Sequence, residues 1–161
     1  MRTLAIVAAC AVALAAAQGA RADGDPASDY LLVQRVFVPF EGAAAAKQQH
    51  ELTQEVAAVN KAGFAIRVAV IFSSYDLGSV TALWRKPTTY ARFLGIELSF
   101  VYKQRLLVVM PNGFGFNWPK HSPKDGYAVL AKVPLQHGTT GLIASATAAV
   151  QKLAAAAGVK T

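Results

Sequence analysis

At 161 residues, with 54% hydrophobic and 16% charged side chains, the chain is too apolar for a disordered tail and too short for a large multidomain enzyme. Its net charge is +7, from 16 Lys and Arg against 9 Asp and Glu. The single cysteine, Cys10, excludes an internal disulfide framework and a cysteine metal site.

Arg2, the apolar run 4–17 and the small-residue site Ala20-Arg21-Ala22 follow the order of a secretory signal peptide. The run is shorter than the roughly 20 residues of a membrane span. Cleavage after Ala22 is expected, with Ala17 as a second position and an uncleaved N-terminal anchor as the alternative. Residues 1–22 are therefore read as an address for export, to a periplasm or the extracellular space. Cys10 belongs to that segment. No second long apolar run follows, so the mature chain is expected to be soluble and not transmembrane. Residues 23–30 are polar, with a Gly and a Pro, and predict a flexible leader before one domain over 31–161.

The first strand is predicted over 31–40, apolar and β-branched up to Pro39. A helix follows over 43–62, with Leu52, Val56 and Val59 on one stripe and Gly63 as its stop. Residues 64–72 are almost unbroken Val, Ile and Phe, the pattern of a strand buried on both faces of a parallel sheet. The helical region 79–94 must kink or divide at Pro87, with Tyr90, Phe93 and Leu94 facing inward. Stretches 97–102 and 105–110 predict an antiparallel pair joined by Lys103-Gln104. A Gly/Pro/Asn loop over 111–119, a helix over 125–132 and an Ala-rich helix over 140–157 complete the order, the last ended by Gly158. Right-handed crossovers would then build a small α/β fold. It would have a mixed, mostly parallel sheet, helices on both faces and an antiparallel hairpin.

Three segments carry a family likeness: Ile66-Arg67-Val68-Ala69-Val70-Ile71, Tyr90-Ala91-Arg92-Phe93-Leu94-Gly95, and Leu106-Leu107-Val108-Val109 running to Gly113-Phe114-Gly115. Together they are similar to the TPM domain, over residues 30–157. That resemblance implies the fold above and an extracytoplasmic or thylakoid-lumen setting. It also implies one of two roles, since some members are described as phosphatases and others as accessory factors in membrane-protein repair or assembly.

Chemistry is expected at the carboxyl ends of the parallel strands, where open α/β sheets bind ligands. That edge would hold Glu41, Ser73, Ser74, Tyr75 and Asp76, with Lys103, Gln104 and Arg105 brought there by the hairpin turn. Asp76 with Glu41 could hold a divalent cation. Ser73, Ser74, Lys103 and Arg105 would then face a phosphate, making a weak cation-dependent phosphatase. The competing reading makes Asp76 a turn and cap residue. Phosphoryl chemistry on hard cations usually needs two or more carboxylates, and beyond the leader the chain has only Glu41, Glu51, Glu55, Asp76, Glu97 and Asp125.

Other signatures are missing. His50, His121 and His137 lack zinc spacing. No Gly-x-Ser-x-Gly elbow or Walker loop occurs, and Gly113-x-Gly115 lacks the third glycine of a dinucleotide fingerprint. The second candidate surface is the aromatic, Gly-rich loop with Asn112, Phe116 and Trp118, flanked by Arg92 and other bases at the opposite edge. Either these rings contact a partner or they plug the core. The partner would be an envelope protein, an anionic lipid surface or an envelope polymer, and not nucleic acid.

Overall fold

The computed structural model describes residues 24–40 and 45–159. The predicted signal segment and the candidate ligand Glu41 lie outside them. The chain forms helix α1 (Pro26–Leu31), strand β1 (Val36–Phe37), helix α2 (Ala46–Lys61) and strand β2 (Ile66–Val70). A 3-10 segment (Ser74–Leu83), helix α3 (Pro87–Glu97) and a short 3-10 turn (Leu98–Phe100) follow. Strands β3 (Arg105–Met110) and β4 (Gly113–Asn117) and helices α4 (Lys124–Leu130) and α5 (Gly138–Ala156) complete it.

The four strands lie side by side in sequence order. β1, β2 and β3 are parallel, with Val68 opposite Val36 on one side and Leu107 on the other. β4 returns antiparallel to β3, with Val109 opposite Phe114. This is the expected mixed α/β sheet. β2 has strands on both sides and a layer on each face, which explains its unbroken apolar run.

Side chains alternate between two cores. Val68, Val70, Leu107 and Val109 pack beneath α2 and α5 with Leu52, Val56, Val59, Ile143 and Val150. Ala69, Ile71, Leu106, Val108 and Met110 pack beneath α1 and α3 with Leu31, Tyr90 and Leu94. The chain thus steps from β1 to β2 to β3 in one direction, while its connecting helices α2 and α3 lie on opposite faces. Two such crossovers must have opposite hands. The expectation of uniformly right-handed connections fails at one of them.

Three expected elements change. Only Val36–Phe37 of 31–40 is strand, and the residues before it belong to α1. The expected leader folds from Asp25 onward, because the Asp25 carboxylate caps α1 by accepting from Ser28 N at 3.1 Å and Ala27 is fully buried. Residues 97–102 are not a strand but the end of α3 and a 3-10 turn. The hairpin is instead β3–β4, turning at Pro111-Asn112. Its alternating Gly113-Phe114-Gly115-Phe116 lets a helix come close: a Cβ on Gly115 would lie 1.9 Å from the Pro87 carbonyl oxygen. Pro87 itself opens α3 as its first residue, where its missing N–H costs nothing.

Candidate functional site

Moving the hairpin exchanges the two ends of the sheet. The carboxyl ends of β2 and β3 hold Ser73, Ser74 and Asp76 together with Asn112. Lys103 precedes β3 and Arg105 is its first residue, so both lie at the opposite, amino edge. The structure does not bring them to Asp76. Trp118 directly follows antiparallel β4, so it joins Arg105 at the amino edge, whereas Asn112 does not.

At the carboxyl edge, Asp76 is engaged by backbone. Its Oδ2 accepts from Phe72 N and Ser73 N, both at 2.8 Å, and Ser73 completes a reciprocal capping box. These bonds end β2 and start the 3-10 segment. Among the described residues, no three His, Cys, Asp or Glu side chains gather at this end or elsewhere in a way that could hold a metal ion. Asn112 donates from Nδ2 to the Arg85 carbonyl oxygen at 2.7 Å, which ties the hairpin to the approach to α3.

The amino edge is built from stacked cations and rings. The Arg105 guanidinium lies 4.3 Å from the Phe64 ring centre and 3.7 Å from that of Trp118. Trp118 in turn stacks on His121 at 3.7 Å. Beside this column, Arg67 lies 4.2 Å above the Tyr102 ring and donates to the Leu31 carbonyl. The Tyr102 hydroxyl donates to the Arg105 carbonyl oxygen at 3.0 Å. Burial lowers the pKa of both guanidinium groups and raises that of Tyr102, which the neighbouring arginines partly oppose. Phe116 is not part of this surface. It is 6% exposed, lies in the core beneath α4 and meets Tyr127 edge-on at 6.5 Å. Trp118 is half-buried, as a wall between Arg105 and a cavity of about 150 Å³ bordered by Phe64, Ser122 and Asp125.

A larger groove of about 330 Å³ lies between the end of α3 and the chain after β4. Arg92, Ile96, Lys103, Asn117, Pro119 and Lys120 line it. No acidic side chain does. Arg92, Lys103 and Lys120 are exposed, and none has a carboxylate partner among the described residues. Gly95, also in its lining, leaves room for the Asn117 side chain: a Cβ there would lie 2.1 Å from Asn117 Nδ2. On the last turn of α3 Ile96 is 64% exposed, and just past the helix Phe100 and Val101 are 95% and 58% exposed. The structure thus joins Arg92, read from the sequence as a binding residue, to Lys103, read as catalytic. The apolar members of this edge went unseen in the sequence because 97–102 was assigned to a buried hairpin strand.

A wider dip of about 510 Å³ between α2 and α5 is lined mainly by polar side chains that bond one another, as Gln151 Nε2 does to Glu55 Oε2 at 3.1 Å. It has neither the apolar walls nor the unpaired charge of the amino-edge groove. No helix among the described residues is long and apolar enough to cross a membrane. Comparisons with protein-family models, with curated proteins and with solved structures find no match for this chain.

Proposed function

We propose that this chain is an exported, TPM-like binding or accessory module of the cell envelope. It works without strong catalysis and engages a negatively charged partner through the amino edge of its sheet. The observation that carries this reading is the groove of three unpaired cations, Arg92, Lys103 and Lys120, beside exposed Ile96, Phe100 and Val101. Unpaired like charges around an apolar-walled groove cost the free protein self-repulsion, which an anionic partner relieves.

The alternative, a weak divalent-cation-dependent phosphatase at Ser73, Ser74 and Asp76, has less support. Asp76 already accepts from two backbone amides, and Lys103 and Arg105 lie at the other end of the sheet. The test is crosslinking in intact cells followed by recovery of the tagged chain. The combined Arg92→Glu, Lys103→Glu and Lys120→Glu variant should lose the adduct that the wild type forms at equal abundance. Equal recovery from both would overturn the reading.

A further inference from the structure

Building on the assignment of the amino edge as a binding surface, we propose that its partner is the anionic face of a lipid bilayer. The cationic groove would receive a lipid phosphate, and Phe100 and Val101 would enter the acyl boundary.

Two separate features of one edge point there. The first is charge. Arg92, Lys103 and Lys120 surround the groove with the Asn117 amide and no acid, and Ile96 and Pro119 give it an apolar wall. A phosphodiester carrying a hydrocarbon tail matches both halves of that lining. Glu97, the last residue of α3, does not line it.

The second feature is shape. Phe100 and Val101 follow Ser99, itself part of the groove, and stand out from the surface with Phe100 almost fully exposed. The turn before β1 adds Val33, 80% exposed, and Leu32, 44% exposed, at the same edge. A protein partner would be met by a concave apolar centre with a mixed-charge rim. Here the apolar side chains project while the cations flank them, which is the two-signal arrangement of peripheral membrane binding. Leu98 anchors the turn in the core, its carbonyl oxygen accepts from Val101 N at 3.0 Å and Tyr102 N at 2.8 Å, and Arg67 lies over the Tyr102 ring, so little ordering is needed on contact.

The experiment is co-sedimentation of the full chain with large unilamellar vesicles. One set is phosphatidylcholine alone and the other contains phosphatidylglycerol as well. The segment 1–22 is common to every variant, so it cancels when variants are compared on the same vesicles. Expected is a preference of about tenfold or more for anionic vesicles, weakened by salt. Lys103→Glu with Lys120→Glu should abolish that preference, and Lys103→Arg with Lys120→Arg should keep it. Phe100→Ser with Val101→Ser should reduce binding to anionic vesicles about tenfold. Circular dichroism checks that each variant is folded.

No preference for anionic vesicles, or a preference that neither disruptive pair alters, would overturn the proposal. If vesicles fail while charge reversal still removes the crosslinked adduct, the lipid assignment falls and the binding module stands. If charge reversal changes neither readout, both fall.

Discussion

Replacing Asp25 with alanine should unfasten the N-terminal helix from the domain. The carboxylate serves two partners: Oδ2 accepts from Ser28 N at 3.1 Å, and Oδ1 accepts from the Tyr90 hydroxyl at 2.5 Å. Both residues are buried, Asp25 at 4% exposure and Tyr90 at 0%. Loss of the cap costs about 1 kcal/mol. A Tyr90 hydroxyl left without an acceptor in a dry core adds about 1–3 kcal/mol. Urea unfolding of Asp25→Ala should therefore show a loss of about 2–4 kcal/mol. Asp25→Asn has one acceptor oxygen, which keeps the Ser28 cap while its Nδ2 donates to the Tyr90 hydroxyl oxygen, and it should lie within about 1 kcal/mol of the parent.

The two substitutions also separate in pH. Burial raises the Asp25 pKa above the ordinary carboxylate value, against the lowering pull of the Tyr90 and Ser28 hydrogen bonds. The folded state then binds the proton more tightly than the unfolded chain. The resulting stability is fully present below the unfolded pKa and is lost as pH rises through the folded one. Asp25→Asn does not titrate, so its stability relative to the parent should increase as pH rises across that window. An Asp25→Ala loss below about 0.5 kcal/mol, or an asparagine as damaging as alanine, would refute this account of the joint.

Three further outcomes are expected. Gly115→Ala should cost about 3 kcal/mol in urea unfolding, because its Cβ would meet the Pro87 backbone carbonyl. Gly95→Ala should cost less, since the Asn117 side chain can turn away, and the opposite order would contradict the packing described. Arg105→Lys should lose about 1 kcal/mol and shift Trp118 emission, as an ammonium cannot lie flat between two rings; an unchanged spectrum and stability would remove the stack from the account. Asp76→Ala should lose about 2 kcal/mol with its two amide bonds while leaving phosphomonoester hydrolysis at background with or without chelator. Hydrolysis by the parent that disappears in both the chelated sample and the variant would instead place an enzyme site at the β2 end.

Periodicity alone located the two central parallel strands and the stripe of Leu52, Val56 and Val59, all three fully buried. It also oriented Tyr90 and Leu94 inward. Such positions are decided locally, by apolar runs and helical spacing. Residues 97–102 misled because an apolar stretch of that length suits a strand as well as the end of a helix. The alternation of Gly113-Phe114-Gly115-Phe116 held the signal for β4. Its glycines suggest a loop until the close approach of Pro87 is known. That single shift in the hairpin reversed which bases share an edge with Asp76. The Asp25–Tyr90 bond joins residues 65 apart in sequence, and no local pattern announces it. The amino-edge groove was legible only in pieces, with Arg92 and Lys103 each singled out for a different end of the sheet.

The most direct test of the amino edge as the binding surface is hydrogen exchange of the full chain with and without phosphatidylglycerol-containing vesicles. Slowed exchange should be concentrated in residues 92–103 and 117–121, and should vanish when Lys103 and Lys120 are both changed to Glu. Slowing confined to residues 72–76 and 112, or no slowing anywhere in the described domain, would contradict the account.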